Sequence, residues 1–294
     1  MLTLRKTAGE KIFNFFNTLL MIFVIIITLY PLLHVLFASI SQPSRLIQHQ
    51  GIILWPMGIS FKSYNIVFKY PMIISGYLNT IFYVLAGTTL NLIMTVLAAY
   101  VLSRKQVYLK NIIMFFIVFT MFFQGGMIPL YLLIKDLGLR DNRWALILPV
   151  AVSAWNIIIT RTSFQSVPDS LEESARIDGA KDFTILFRIM IPLCRPVLAV
   201  MVLFYGVAHW NTWFSAMLYF RNRDLYPLQL VLREILIISD VTSMTQGVSA
   251  IDAEPIGQTI KYATIVVATI PIMCVYPFLQ KYFVKGVMIG AIKG

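Results

Sequence analysis

Charge is what this chain has least of. Asp, Glu, Lys and Arg together make 13% of its 294 residues, and hydrophobic residues make 59%. A soluble domain carries about 25% charged residues. The shortage excludes an ordinary water-soluble fold, so length is counted in bilayer crossings rather than in cores. Cysteine is nearly absent. Cys194 and Cys274 each lie at or inside an apolar run, nothing pairs them, and both read as small buried apolar residues. No G-x-x-x-x-G-K-[ST] occurs, so the chain has no P-loop of its own to hold ATP. There is no His-Glu-x-x-His and no Cys/His cluster, and His34, His49 and His209 stand far apart, which excludes a legible metal centre. No repeat, low-complexity tract or soluble domain interrupts the chain.

What charge there is has one dominant sign. Lys and Arg number 24 against 13 acids, a formal net charge of +11. These cations are scattered between apolar runs, with no basic face and no aromatic-basic stripe, so nucleic acid is not the partner. Basic loops beside membrane spans explain the balance. Met1 to Lys11 is basic, and the apolar run after it is too long for a signal-peptide core, so it reads as a retained first span.

Six segments lack any charged side chain and approach or exceed the crossing length of about 20 residues. They are Ile12–Ile40, Gly76–Leu102, Asn111–Ile134, Trp144–Thr160, Pro196–Phe220 and Tyr262–Gln280. Backbone polar groups in lipid must pair within the segment, which makes these helices. The expectation is an all-α integral membrane protein, a single domain over 1–294 with six transmembrane helices. Under the positive-inside rule, Arg5, Lys6 and Lys11 place the N-terminus in the cytoplasm. Arg104, Lys105 and Lys110 place the second-to-third loop there, and Arg161, Arg176, Lys181, Arg188 and Arg195 the loop of residues 164–195. Lys281, Lys285 and Lys293 do the same for a tail over residues 281–294. Arg45, Lys62, Arg221 and Arg223 on the opposite side make the bias modest. Of the two long outer connections, Ser41 to Ser75 is broken at Trp55-Pro56 and Tyr70-Pro71. Arg221 to Lys261 predicts a short amphiphilic helix around Leu228, Leu230, Val231 and Leu232.

The most charged stretch is Val167 to Pro196, VPDSLEESARIDGAKDFTILFRIMIPLCRP. Pro168 ends the preceding helix. Asp169 or Ser170 is placed to cap a new one, and Ser170 with Glu173 matches a capping box. Glu172 and Glu173 suit the first turn, where the helix dipole favours carboxylates. Gly179 follows Asp178 at a natural stop. Ser174 and Ala175 are small enough for a partner to approach. A helix of this kind either docks in a groove on another protein or stays solvated with no partner, and the residues alone leave both open.

This segment resembles the EAA loop of ABC importer permeases: EAA, three residues, Gly, nine residues, then I-x-L-P. Glu173, Ala175, Gly179, Ile189 and Pro192 match, while Ser174 replaces the first Ala and Ile191 the Leu. Ile177-Asp178-Gly179-Ala180 is also typical of the family. The resemblance is strongest to the carbohydrate branch and its smaller maltose-type subunit. Leu225-Tyr226-Pro227-Leu228-Gln229 and the tail from Gln280 to Gly294 look like those of oligo- and polysaccharide importers, alginate types among them.

The resemblance implies the type I ABC importer permease fold with a cytoplasmic coupling helix. It implies a second, non-identical permease subunit, two ATPase subunits that carry ATP and Mg, an extracytoplasmic solute-binding protein, and a saccharide substrate. The chain itself is then no enzyme and holds no cofactor. It sits multi-pass in the lipid of a bacterial inner membrane, with both termini cytoplasmic. Glu172, Glu173, Ser174, Ala175, Asp178 and Gly179 are the candidate ATPase-coupling residues.

The spans contain no Asp, Glu, Lys or Arg, which argues against an ion-coupled carrier. Asn79, Asn91, Gln124, Asn156, Tyr205, His209, Trp210 and Asn211 are candidates for a hydrated path. Each polar group is more often an interhelical hydrogen bond than a ligand contact. Trp155, Tyr205, Trp210 and Trp213 fit stacking on sugar rings or an aromatic belt at the interface.

Overall fold

A computed structural model of the chain describes residues 7–49, 51–237, 257–274 and 277. Among them there is no strand beyond a single bridge from Ser41 to Ile59. Contacts divide the chain into two units, Met1–Tyr70 with Ile235–Thr269 and Pro71–Glu234 with Ile270–Gly294.

The first unit opens on α1, Ala8–Ser39. Thr7 and Glu10 form a reciprocal capping box at its start: the Thr7 hydroxyl accepts from the Glu10 N–H, and the Glu10 carboxylate accepts from the Thr7 N–H. The apolar side chains from Ile12 to Leu36 face outward along most of its length. Two short helices follow, α2 (Pro43–Gln48) and α3 (Lys62–Lys69). Ala38, Leu46 and Ile53 form a small core with Tyr262 at its edge, and the buried Ser63 and Thr259 hydroxyls meet at 2.6 Å.

The second unit is built around α4, Pro71–Ser103, with proline at its first position where no N–H is needed. Next come α5 (Lys110–Phe122), α6 (Met127–Asp136), two 3₁₀ turns (Arg143–Leu146 and Leu148–Val150) and α7 (Ala154–Gln165). The short α8 spans Asp169–Ile177. A continuous helix then runs through α9 (Asp182–Ile185), a π-helical turn (Leu186–Met190) and α10 (Ile191–Leu193). It leads to α11 (Arg195–Trp210), α12 (Phe214–Tyr219) and α13 (Leu228–Ile237). The helix Gly257–Cys274, α14, follows after residues outside the description and belongs to the first unit as far as Thr269. α4 packs along α11 and α7 and is the spine of this unit.

Three of the expected spans are single helices: α1, α4 and, as far as it is described, α14. The others are broken, which corrects their reading as uninterrupted segments. The third divides into α5 and α6 with a bend of 110°. Gly125 and Gly126 lie in the break, and Gly126 has φ of +87°. The fourth is a 3₁₀ stretch and α7 at 51°, with Pro149 in the 3₁₀ part. In the fifth, the surface helix Asp182–Leu193 turns by 85° at Cys194 into α11, which ends at Trp210, so Phe214–Tyr219 is a separate helix. The expected amphiphilic outer helix is α13, with Leu228, Leu230, Val231 and Leu232 buried. Cys194 is buried as expected, but Cys274 is exposed on α14, where an apolar thiol suits lipid as well as core. Arg5, Lys6, the end of the sixth segment after Cys274 (residue 277 apart) and the tail 281–294 lie outside the described residues.

Candidate docking helix and polar cavity

No residue of α8 is buried. Charge holds it instead, at three points. At its start Lys105 donates to Asp169 at 2.5 Å. In the middle, Glu172 pairs with Arg104, and both side chains are only about one-seventh exposed. At the end Arg176 reaches Glu172 at 3.0 Å and Asp182 at 2.5 Å. The Lys105–Asp169 bond holds the Asp169 carboxyl below the usual carboxylate range and raises the Lys105 ammonium. Burial pulls the Arg104 guanidinium down from its ordinary value.

The expected capping box does not form. Pro168 is the N-cap and offers no side-chain bond, so Asp169 and Ser170 fall inside the first turn. Asp169 turns to Lys105, and the Ser170 carbonyl accepts from the Ser174 hydroxyl at 2.8 Å. The end of the helix follows the sequence. Gly179 has φ of +81°. Its N–H donates to the Arg176 carbonyl at 3.0 Å, and the Ala180 N–H donates to the Ala175 carbonyl at 2.9 Å. This is a Schellman turn, which satisfies carbonyls that the helix leaves open. Ala175 and Ala180 pack against a core of Ala99, Tyr100, Phe164, Ile185, Leu186 and Met190. Glu173, Asp178 and Ile177 stay exposed, Ile177 at 87%.

The polar residues of the helical layer fall into separate groups. Asn79 is spent on a loop: its Nδ2 donates to the carbonyls of Asp224 (2.6 Å) and Tyr226 (3.2 Å), and its Oδ1 accepts from Arg143 at 3.0 Å. Asn91 Nδ2 donates to the Val150 carbonyl at 2.5 Å, so its Oδ1 is left to accept from His209 Nε2 at 2.7 Å. That network fixes the imidazole proton on Nε2. One helical turn away, the hydroxyls of Thr95 and Tyr205 meet at 2.6 Å.

Gln124, Asn156, Tyr205 and His209 line a common cavity of about 550 Å³, with Thr120 and Thr212 also on its wall and Trp155 at its edge. Among the described residues no charged side chain lines it. Trp210 is elsewhere, on an apolar groove with Leu85, Val202 and Gly206, its ring 6.4 Å from that of Tyr77. Asn211 is the exposed C-cap of α11. The Trp213 ring lies under the Arg233 guanidinium at 4.2 Å.

Sequence reading took Arg104 and Lys105 as marks of sidedness and missed their pairing with α8, because nothing local announces a contact between residues so far apart. It also missed Thr95 and Gly87. A Cβ at Gly87 would overlap the His209 ring, 2.5 Å from Cε1, so only glycine lets the imidazole lie against α4.

Comparison with known proteins agrees with this architecture. Residues 92–289 match the family described as binding-protein-dependent transport system inner membrane component. Protein LplC of Bacillus subtilis is 41% identical over 99% of this chain and 98% of its own length. The polygalacturonan/rhamnogalacturonan transport system permease protein YtcP of the same organism is 42% identical over 92% and 94%. Among solved structures, a chain of a bacterial ABC transporter involved in the import of the acidic polysaccharide alginate is 36% identical. It superposes with a TM-score of 0.90, covering 96% of this chain and all of that one. With a family match across most of its length and relatives above 40% identity, the chain belongs to the binding-protein-dependent transport system inner membrane components.

Proposed function

We propose that the chain is one half of the translocation pathway of an ATP-driven importer of oligo- or polysaccharides. It works beside a second, non-identical permease subunit, two ATPase subunits that bind ATP and Mg, and an extracytoplasmic solute-binding protein. Both termini and α8 lie on the cytoplasmic side. The observation that carries the reading is α8 itself. It is a helix with no buried residue, clamped by charge at start, middle and end, that keeps Glu173 and Ile177 exposed. A solvated loop needs no such clamping, whereas a helix presented to a groove does. Glu173 pairs with a basic group of that groove, and the Gly179 turn sets the angle of presentation. The cavity with Gln124, Asn156, Tyr205 and His209 is this subunit's share of the pathway. Its neutral hydrogen-bonding groups suit sugar hydroxyls. An acidic saccharide of the alginate or polygalacturonate type is supported by two of the relatives, the polygalacturonan/rhamnogalacturonan permease and the alginate importer.

The test is the assembled complex in proteoliposomes at matched permease levels. The chain alone is expected to hydrolyse no ATP. Glu173→Ala should weaken ATPase attachment about tenfold or more. Gly179→Leu forces a Cβ into the left-handed region and should lower transport per ATP hydrolysed. Alginate and galacturonate oligosaccharides should stimulate hydrolysis more than maltodextrins. Normal coupling in Gly179→Leu would mean that α8 is a solvated helix, and the reading would fail.

A further inference from the structure

Arg104 stands where α4, α8 and the surface helix meet. Its Nε and Nη2 donate to the Ser103 hydroxyl at 3.1 and 3.0 Å, and its guanidinium lies 4.8 Å above the Tyr100 ring, which fixes it to the end of α4. Nη1 pairs with Glu172 at the middle of α8. Nη2 also reaches Met190 in the π-helical turn. The end of α4 is held further by Arg161 Nε, which donates to the Leu102 carbonyl at 2.9 Å, and by Lys110 Nζ, which donates to the Arg104 carbonyl at 3.1 Å. Higher on the same helix, Thr95 and Asn91 hold Tyr205 and His209 of the cavity wall. One uninterrupted helix thus joins the foot of α8 to the cavity, and at its end Arg104–Glu172 is the enclosed ion pair of a joint that also includes Lys105–Asp169 and the packing of Ala175.

We propose that Arg104 is the positioning residue that transmits displacement of α8 to α4, and through α4 to the cavity wall at Tyr205 and His209. The proposal rests on the reading of α8 as the ATPase-docking helix. Lys105–Asp169 does not replace the enclosed pair, since both its side chains are more than half exposed and water competes for them. Arg104–Glu172 is mostly enclosed, and Glu172 in turn orients Arg176 toward Asp182. Losing Arg104 leaves α8 attached through its two ends and through Ala175, but leaves Glu172 without its partner on α4. ATPase docking should survive and its mechanical consequence should not.

The experiment uses the full complex in nanodiscs, with Cys194 and Cys274 replaced by alanine and Thr212→Cys as a reporter on the cavity wall. The labelling rate by a small maleimide is measured without nucleotide and after vanadate trapping with ATP. In the parent complex the two rates should differ. In Arg104→Gln the ATPase should still co-purify, and the ratio of the two rates should fall toward one, at least about fivefold. Arg104→Lys keeps the charge and should restore part of the difference. An unchanged ratio in Arg104→Gln would overturn the proposal. Loss of ATPase co-purification that Arg104→Lys does not repair would also overturn it, by placing Arg104 in the docking surface or the fold. A parent complex that holds no ATPase would overturn the docking reading, and the transmission role with it.

Discussion

The two candidate regions of this molecule are held together in opposite ways. α8 has no buried residue and is positioned by ion pairs, two of them largely solvated at Asp169 and Asp182. Among the described residues the cavity wall has no charged side chain, and it is positioned by short neutral bonds among Asn91, His209, Thr95, Tyr205 and a backbone carbonyl. The difference follows from the solvent each region was built for. In hydrocarbon an ionised group costs several kcal/mol, so a membrane-embedded wall is ordered with amides and hydroxyls. At a wet surface charge costs little and gives reversible, directional attachment. The exposed helix is fastened with ion pairs, and the cavity wall is fastened with enclosed hydrogen bonds.

This contrast predicts a ranking of mutational costs, measured as unfolding of the isolated chain in detergent. Gly87→Leu should be worst. Its Cβ alone overlaps the His209 imidazole, and the extra bulk adds about 1–3 kcal/mol of overpacking or prevents accumulation altogether. Asn91→Ala should come next. It leaves the His209 N–H and the Val150 carbonyl unpaired together, a loss of about 1–3 kcal/mol. If Asn91→Ala unfolds like the parent, the wall is not ordered by this network.

Lys105→Met should be the mildest, with an unfolding midpoint close to the parent's and a difference that vanishes in high salt. The pH dependence of that pair has a definite sign. The lowered Asp169 contributes fully above the ordinary carboxylate value of about 4 and loses its contribution as pH falls through its lowered value. The raised Lys105 contributes fully below about 10 and loses its contribution as pH rises through its raised value. Between those limits the effect of Lys105→Met should be flat. A slope near pH 7, or a cost equal to that of Asn91→Ala, would erase the distinction between the regions.

Much of the architecture was legible because it depends on local rules. Long uncharged runs marked α1 and α4, the amphiphilic cluster around Leu228 marked α13, and Gly179 marked the turn after α8. The breaks inside three apolar segments were not read, although Gly125-Gly126 and Pro149 marked two of them. Hydropathy sees only that lipid accepts a segment, and backbone geometry decides whether it bends. Asn79 and Asn91 looked equivalent in sequence. Their roles diverge because of what lies opposite, the Asp224–Tyr226 loop for one and His209 for the other. Ser170 failed as a cap because Pro168 starts the helix two residues earlier than the motif requires.

The length of α4 has a consequence for where the two regions can be. At 1.5 Å per residue its 33 residues extend about 50 Å. The hydrocarbon layer is about 30 Å thick. Even tilted by about 40° the helix would rise about 38 Å, so at least one of its ends stands clear of the acyl chains. Arg104 follows directly on Ser103, the last residue of that helix. The guanidinium there is enclosed by protein, by Ser103, the Tyr100 ring and Glu172, so protein and not lipid sets the cost of releasing its carboxylate. On the proposed reading the joint at the foot of α4 is a latch on a mast whose middle is held by α7 and α11.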